Sequence, residues 1–394
     1  MKTNILTFVL CLSSISISAA DLYVNGSGLP TTYANLQLAI DAASDGDNIY
    51  MSSTETHNGP VTVDKSVYII SDQAGLKFQL VGDIIVGNNI EQVTIVGANG
   101  ISVSSQNNAG SRVHVNLISS SISGLNISHN NYKVNIYDCF VGGTAAFRNG
   151  VVIGSELSAI SIQNESSVEV DTIKLIANEF ETLEYSNQMH NFEIYNNYVN
   201  KYSDNYSNNY GLYFSSIPNS QSTYGIIANN TIEASGNDAI FLTSVSDFSG
   251  LTIVNNYFTA TENNSNNCCY TSSAIDFASN AIPNTFISNN RYTGYSNISD
   301  QTSDVYSSDN SSAYSSYDGS NGNLTSSYSN LGLDQAPYYD IDGTINDIGN
   351  SGGPHAWSNY HTTGGKAVIF DLEIPAQIYM GTNQSIKAKG VHKN

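Results

Sequence analysis

Basic residues are scarce in this chain: 13 Lys and Arg stand against 34 Asp and Glu in 394 residues, which gives a net charge of -21. A surface with this balance repels phosphate backbones and anionic lipid headgroups. We therefore expect no nucleic-acid partner. After residue 20 the sequence also lacks an apolar run long enough to span a bilayer, so we expect no membrane insertion.

Cysteine is almost as rare, with four residues in the whole chain. Cys11 lies in the apolar run near the start, which leaves Cys139 and the adjacent pair Cys268 and Cys269. An odd number gives no paired disulfide framework. The adjacent pair could form a strained bridge or a thiol site, or it could be two small residues in a surface loop.

The first twenty residues have the features of a secretion signal. Lys2 precedes the apolar run 5–12, and the small residues 18–20 form a cleavage site. The run contains Cys11 without the small residues that a lipoprotein site needs before it, which favours release over lipid anchoring. We predict a mature chain that begins at Asp21 and is secreted or held at the cell surface.

What the sequence does have is a short phrase that recurs through residues 192–292. Each copy is a strand of three or four residues, mostly apolar, that ends in two Asn residues. The steps between copies are 33, 26 and 34 residues, which is too irregular for a helical solenoid and fits coils whose loops vary in length. The second Asn of each pair is Asn197, Asn230, Asn256 and Asn290.

This repetition predicts a parallel β-solenoid. In a parallel ladder, equivalent residues of successive coils lie above one another, so the Asn side chains can hydrogen-bond along one corner. One apolar residue of each copy should then form an inward stack. These residues are Ile194, Ile227, Ile253 and Ile287.

Earlier parts of the chain carry weaker signals of the same kind. A short helix is expected after Thr31 and Thr32, which would supply its N-cap, with Leu36, Ile40 and Ala43 on one apolar stripe. Further on, short strands recur and predict about nine to eleven turns before residue 300. These strands are predicted at 67–70, 84–86, 93–96, 113–115, 134–136, 151–153 and 168–170.

The Asn-Asn phrase, together with Gly-Asn-Asp-Ala-Ile-Phe-Leu at 236–242 and Ser-Ala-Ile-Asp-Phe at 273–277, resembles right-handed parallel β-helix proteins of the pectin-lyase-like superfamily. The resemblance covers most of residues 30–295. It implies an all-β, right-handed parallel β-helix with an amino-terminal capping helix and a small carboxyl-terminal strand segment. The superfamily includes lyases, hydrolases, epimerases and surface proteins without catalysis, so it leaves the function open.

We divide the chain on this basis into five parts. The divisions are a signal peptide at 1–20, an amino-terminal cap at 21–60, the parallel β-helix at 61–295, a Ser/Asn/Tyr-rich linker or degenerate last coil at 296–335, and an Asp/Gly loop with strands at 336–394. In the last part, strands are predicted at 367–372 and 378–380.

Enzymatic chemistry has few candidate residues. The glycoside hydrolases of this superfamily would place an Asn-x-Asp, an Asp-Asp, a Gly-His-Gly and an Arg-x-Lys on successive turns, and only Asp238 comes near that pattern. A lyase needs a cationic base and a group that neutralises the uronate carboxylate. We therefore searched the few basic residues of the predicted helix for a cluster.

Arg112 and Lys133 each directly precede a predicted strand, lie one coil apart and are the clustered candidates. Strand alternation predicts that Arg112, His114, Lys133 and Asn135 share one outer face, and Glu169 and Asp171 should fall there two coils later. In a lyase, Lys133 would be the base and Arg112 would pair with the uronate. His114 or Asp171 would orient the sugar or a cation, and Asn135 and Glu169 would contact substrate. The alternative is a solvated face with incidental charges.

A possible Ca²⁺ site lies near the carboxyl terminus, where Asp340, Asp342 and Asp347 surround Gly343. The pattern resembles part of an EF-hand or dockerin loop. With Gly343 in the sixth place, the first and twelfth places fall on Tyr338 and Gly349, which lack carboxylates. A reduced Ca²⁺ site is one reading, and Asx-turn residues are the other.

From the sequence we expect a secreted or cell-surface β-helix protein, monomeric, that binds extracellular polysaccharide or serves as an adhesin-like surface scaffold. The wall of the predicted solenoid is rich in Asn and in the 26 Tyr residues, which suit hydrogen bonding and stacking to sugars. The alternative is a polysaccharide (uronate) lyase that acts by β-elimination.

Overall fold

The computed structural model describes the chain in several ranges. These are residues 19–25, 32–165, 170–188, 190–200, 210–216, 223–235, 238–243, 250–261, 273–278, 284–299, 305–308, 310–312, 317–318, 323–324, 331–335, 338–340, 342–361, 367–373 and 387–392.

The described chain is almost entirely β-structure. It has one α-helix, α1 (Leu36–Ala42), and a 3₁₀ turn at Trp357–Asn359. The strands, in chain order, are β1 (Asp21–Val24), β2 (Asn48–Met51), β3 (Thr56–Asn58), β4 (Val61–Val63), β5 (Tyr68–Ser71), β6 (Phe78–Val86), β7 (Gln92–Val96), β8 (Ala98–Ser105), β9 (Val113–Ile118), β10 (Ser121–Ile127), β11 (Tyr132–Tyr137), β12 (Phe140–Phe147), β13 (Gly150–Ile153), β14 (Glu156–Ile162), β15 (Thr172–Ile176), β16 (Glu179–Tyr185), β17 (Asn191–Tyr195), β18 (Tyr198–Asn200), β19 (Leu212–Phe214), β20 (Gly225–Ala228), β21 (Thr231–Ser235), β22 (Ile240–Leu242), β23 (Leu251–Val254), β24 (Tyr257–Thr261), β25 (Ser273–Asp276), β26 (Thr285–Ser288), β27 (Arg291–Thr293), β28 (Asn297–Ser299), β29 (Val305–Ser308), β30 (Ser311–Ser312), β31 (Tyr317–Asp318), β32 (Asn323–Leu324), β33 (Ala367–Glu373) and β34 (Lys387–His392).

The strands up to β30 form two parallel stacks, which confirms the predicted all-β solenoid. Sheet A has thirteen described strands in the order β1, β2, β5, β7, β9, β11, β13, β15, β17, β20, β23, β26 and β29. Sheet B contains the other strands from β3 to β30. From β6 to β16 each coil gives sheet B one long strand. The coil before β6 gives it two short strands, β3 and β4, and the coils after β16 also give it short ones, such as β18 with β19.

The core lies between the sheets and follows from strand alternation. In β9 every second residue is buried, and the same pattern recurs in β17 and, apart from the additionally buried Asn135, in β11. The predicted inward stack is confirmed, because four Ile residues are register partners on adjacent coils and are buried. These are Ile194, Ile227, Ile253 and Ile287.

A side-chain ladder runs along the corner that follows sheet A, as predicted. At each coil the backbone N–H of the corner residue donates to the side chain of the equivalent residue on the next coil. The Asn residues also donate to that side chain through Nδ2. The ladder extends further toward the amino terminus than the Asn residues do, since Ser and Cys occupy the same position there. Its members are Ser120, Cys139, Ser155, Asn178, Asn197, Asn230, Asn256, Asn290 and Asn310.

The first Asn of each pair has a different role. These residues have left-handed backbone conformations, with φ between 55° and 59°, which Asn tolerates better than most residues. They contact the described residues between 331 and 361, which we call the docked segment. The four residues are Asn196, Asn229, Asn255 and Asn289.

The contacts of the docked segment bridge several coils. Asn229 Nδ2 donates to Asn346 Oδ1 at 2.5 Å and to the Asp347 carbonyl at 3.0 Å. The Gly349 N–H donates to the Asn255 carbonyl at 2.8 Å. Further along, Tyr360 packs against Ile153 and Ile176, which form a small apolar cluster on the outside of sheet A. The segment therefore covers an outer corner of the solenoid.

The helix differs from the sequence prediction at its start. Its N-cap is Asn35, whose side chain accepts a hydrogen bond from the Leu38 N–H at 2.9 Å, and not Thr31 or Thr32. Thr31 lies outside the described residues, and Tyr33 is still extended because it forms a parallel bridge with Val24. Leu36 and Ile40 are buried as predicted. A capping role for this helix stays a prediction.

The coil after β13 also departs from the prediction. The strand expected at 168–170 is absent where the chain is described, since Val170 is exposed, and residues 168 and 169 lie outside the described residues. Sheet A resumes instead at β15, where Lys174 is the register partner of Val151. The nine residues between β14 and β15 form a longer connection than the two between β12 and β13.

At the carboxyl terminus, β33 confirms the strand predicted at 367–372, and the one predicted at 378–380 lies outside the described residues. Strand β33 pairs with β34 in antiparallel fashion. Across the ranges that the structure describes, we find no helix with the length and apolar character needed to cross a membrane.

Candidate functional site

Arg112, Lys133 and Asp171 meet at the edge of sheet A where the chain enters its strands. Arg112 directly precedes β9, Lys133 is the second residue of β11, and Asp171 directly precedes β15. Because the strands are parallel, their amino ends lie along the same edge. Three residues that are far apart in sequence are thereby brought together, as predicted for Arg112 and Lys133.

The three side chains form one ion cluster. Arg112 Nη1 and Lys133 Nζ each donate to Asp171 Oδ2 at 2.8 Å. Asn149 Nδ2 lies 3.4 Å from the same oxygen. Burial acts to raise the pKa of Asp171, but the hydrogen bonds from Lys133 and the Thr172 N–H and the two positive charges outweigh it and lower the pKa to about 2. Asp171 is therefore ionised at neutral pH and partly neutralises both cations.

A second, fully buried pair of titratable side chains contacts this cluster through the backbone of Asp171. His190 Nε2 lies 2.6 Å from Glu165 Oε2, and neither side chain is exposed to solvent. The Asp171 N–H donates to His190 Nδ1 at 3.1 Å, so that nitrogen is the acceptor and Nε2 carries the hydrogen toward Glu165. Burial acts to raise the pKa of Glu165, but hydrogen bonds from His190 and the Asn131 N–H hold it below its ordinary value.

The sequence did not reveal this buried pair. Glu165 lies in the connection between β14 and β15, and His190 directly precedes β17. Neither residue stands in a strand whose alternation could be followed. The length of this connection was the available sign of the pair. A long connection has more polar groups, and those that are buried need hydrogen-bond partners.

Of the other residues predicted for this site, His114 and Asn135 lie on strands of sheet A, and Glu169 lies outside the described residues. His114 is the register partner of Lys133 on sheet A. Asn135 Nδ2 donates to Asn116 Oδ1 at 2.9 Å, so its amide belongs to a polar row on the outer face of sheet A. Glu169 lies outside the described residues. Their roles toward a substrate stay predictions.

The hydrogen bonds within this cluster limit the chemistry that it can perform. A lyase base has to accept a proton, and Lys133 already donates to a carboxylate that favours its charged form. Arg112 bonds the same oxygen, so a uronate would compete with Asp171 for its positive charge. As arranged, the cluster joins three coils by charge-assisted hydrogen bonds.

The stability of the chain should depend on this cluster in acid. The folded pKa of Asp171 is lowered from 3.8 to about 2, so its contribution is present above pH 3.8 and is lost as the pH falls toward about 2. We expect Asp171→Asn to lower the free energy of unfolding at pH 7 by about 2 kcal/mol. The difference from wild type should shrink through that acid window, as measured by urea unfolding at several pH values.

Asp83→Asn is the control, since it removes one exposed negative charge from β6, several coils away. A destabilisation by Asp171→Asn that stays constant from pH 7 to the acid limit would contradict the prediction, because it would reflect lost packing and not lost charge.

Two of the three aspartates proposed for Ca²⁺, Asp340 and Asp342, accept hydrogen bonds from groups of their own loop. Asp342 Oδ1 accepts from the Thr344 N–H at 3.0 Å and from its hydroxyl at 2.6 Å. Asp340 Oδ1 accepts from the Gly353 N–H at 2.5 Å. Within the described ranges, no group of three His, Cys, Asp or Glu residues is arranged to hold a metal ion. Ca²⁺ binding by Asp340, Asp342 and Asp347 stays a prediction.

A site that the sequence reasoning missed lies on the outer face of sheet B. Tyr210, Tyr213 and Phe241 are partly exposed and have nearly parallel rings. The Tyr210 and Phe241 ring centroids are 4.5 Å apart, and each lies 5.6 Å from that of Tyr213. Tyr213 and Phe241 are register partners on adjacent coils. We call these three residues the aromatic patch.

Carboxylates adjoin the aromatic patch along the solenoid. Glu184 is the register partner of Tyr213 on one side, and Asp276 is the register partner of Phe241 on the other. The pKa of Tyr210 is raised by burial and also by the negative charges of Asp238 and Asp276. The patch therefore combines flat apolar surface with negative charge.

The signal for this patch was present in the sequence. Leu212-Tyr-Phe and Ile240-Phe-Leu each place one aromatic residue between two apolar ones, and their burial alternates accordingly. The pattern predicts one outward aromatic per coil. The sequence pattern does not predict that β19 pairs with β22, because the loops between successive strands have no fixed length.

Comparison with known proteins adds no family to this description. No protein-family model matches the sequence. None of the curated proteins matches it either.

Proposed function

We propose that this chain is a secreted or cell-surface β-helix protein, similar to the pectin-lyase-like superfamily, that binds extracellular polysaccharide. The signal-like residues 1–20 and the strongly acidic composition support an extracellular setting without nucleic-acid or membrane partners. Long parallel sheets give such a protein an extended side wall, along which a polymer can make repeated contacts.

The observation that carries the proposal is the aromatic patch. Aromatic rings offer flat apolar faces on which the C–H face of a pyranose ring can pack, and a Tyr hydroxyl offers a hydrogen bond at the ring edge. The three rings stack on one another, so a sugar would pack on the outermost ring face and along the ring edges of the patch. The ion cluster at Asp171 is less suited to bind a ligand, because its charges already pair with one another.

The test is glycan binding by the full chain, measured by array and then by calorimetry. Tyr213→Ala should weaken binding of a glycan that the wild type binds by about tenfold, because one stacking surface is lost. Phe140→Ala is the matched control, since Phe140 is an exposed aromatic residue on β12 of the same sheet but lies coils away from the patch. We expect this control to bind as wild type does.

Equal losses in the two variants would contradict a role for the aromatic patch. Absence of binding to every neutral, cationic and acidic glycan would leave the adhesin-like scaffold as the better function. Circular dichroism of each variant separates lost binding from lost folding.

The polysaccharide lyase remains a second proposal, favoured by the convergence of Arg112 and Lys133 on one edge of sheet A. It requires Lys133 to leave Asp171 when a uronate arrives. Incubation of the protein with uronate polymers, followed by ultraviolet absorbance of the unsaturated product, tests it directly. Product that forms equally with Lys133→Ala would remove Lys133 from the role of base.

A further inference from the structure

The outer face of sheet B carries an ordered column of side chains through the aromatic patch. Register pairing places Glu184, Tyr213, Phe241 and Asp276 on four successive coils. Neighbouring strands lie about 4.8 Å apart, so the column extends over about 14 Å. Its order is carboxylate, aromatic, aromatic, carboxylate.

The charges of this column restrict what can bind there. Both carboxylates lie one ladder step from a ring, and Asp238 adds its negative charge near Tyr210. The patch has no Lys or Arg among these register partners, and the whole chain carries a net charge of -21. A uronate or sulfated polymer would meet repulsion at both ends of the column.

A cationic sugar fits the same column in two ways. Its ring can pack on Tyr213 or Phe241, and its ammonium group can donate to Glu184 or Asp276. Positive charge close to an aromatic face is itself favourable. Charge-assisted hydrogen bonds to carboxylates are stronger than those between neutral groups.

We propose that the column formed by Glu184, Tyr213, Phe241 and Asp276 binds a polymer of amino sugars with free amines. This inference rests on the proposed function, because it names the class of glycan that the aromatic patch takes. The rings supply the stacking surface, and the two carboxylates select the cationic sugar over its neutral or acidic counterparts.

The experiment compares three oligosaccharides of equal length with the full chain, in EDTA and at about pH 6, where carboxylates are ionised. The probes are a glucosamine oligomer, its N-acetylated counterpart and a galacturonate oligomer. We expect the glucosamine oligomer to bind most tightly and the galacturonate oligomer most weakly. Added salt should weaken binding of the glucosamine oligomer in particular, because salt screens surface charges.

The variants separate charge selection from stacking. Glu184→Gln and Asp276→Asn keep the shape of each side chain, and each should weaken glucosamine binding by about three- to tenfold while leaving the N-acetylated oligomer unchanged. Tyr213→Ala should weaken both oligomers. Asp83→Asn is the matched control, an exposed carboxylate on sheet B in an earlier coil, and it should change neither.

The outcomes distinguish this inference from the proposed function. Binding of the N-acetylated oligomer that needs Tyr213, with no preference for free amines and no effect of the amide variants, would overturn the inference and keep the proposed function. Absence of binding to all three oligosaccharides and to other glycans would overturn both. Oligolysine that binds as tightly as the glucosamine oligomer, independently of Tyr213, would show general attraction to cations and also overturn the inference.

Discussion

Asn256→Leu is expected to lower the free energy of unfolding by about 3 to 6 kcal/mol, because each orphaned buried polar group costs about 1 to 3 kcal/mol. The Asn256 side chain is fully buried. Its Nδ2 donates to the Ile227 carbonyl at 2.9 Å, and its Oδ1 accepts from both the N–H and the Nδ2 of Asn230. Leucine would remove all of these bonds. The Ile227 carbonyl and the Asn230 N–H would lose this side chain as a partner, whereas Asn230 Nδ2 would keep its bonds to the Ile194 and Ala228 carbonyls. Urea unfolding measures the loss.

The control for this variant is Asn99→Leu. Asn99 is exposed on β8, and we expect a change of less than about 0.5 kcal/mol there. If the unfolding midpoint of Asn256→Leu equals that of the control, water hydrogen-bonds the polar groups of the corner. The ladder then contributes little to stability.

Gly225→Ala should also destabilise the core strongly, by about 3 kcal/mol. A Cβ at this position would lie 2.1 Å from the ring of Phe192, its register partner on the preceding coil. That ring cannot move away freely, because it packs against Tyr185 and Phe214 with ring centroids 5.1 and 5.2 Å away. Thermal and urea unfolding of the variant measure the cost.

The complementary shapes of Gly225 and Phe192 make this prediction testable by rescue. Phe192→Leu removes the part of the ring that meets the new methyl group, so the double variant should be about as stable as Phe192→Leu alone. Gly124→Ala in β10 is the control, since an added Cβ meets nothing within 4 Å there. It should be neutral or stabilising by up to about 1 kcal/mol. Additive losses in the double variant would show that the two residues do not compete for space.

The architecture could be predicted because the same physical requirement repeats on every coil. A buried corner needs a side chain that both donates and accepts, so Asn recurs at 197, 230, 256 and 290, and its recurrence gives the register directly. Where other residues meet that requirement, as Ser120, Cys139 and Ser155 do, the repetition disappears from the sequence although the ladder continues.

The sites were harder to predict, for reasons that differ between them. Arg112 and Lys133 could be placed together because they adjoin strands of fixed register. Asp171 was expected on the same outer face as Arg112 and Lys133. The hydrogen bonds that it accepts from both cations depend on the nine-residue connection before β15, whose sequence has no periodicity. The aromatic patch depends on pairings across loops of unequal length, and the contacts of the docked segment join residues from 42 to more than one hundred positions apart.

The docked segment changes how the solenoid can fold and unfold. Coils that contact only their neighbours can open from an end one at a time, since each loses a local interface. Asn196, Asn229 and Asn255 belong to successive coils and all hydrogen-bond one segment that follows them in the chain. That segment closes loops of 78 to 156 residues, so we expect these contacts to form after the coils that they join. Once formed, they oblige those coils to open together, which gives the carboxyl-terminal half of the solenoid a cooperativity that nearest-neighbour stacking alone does not provide.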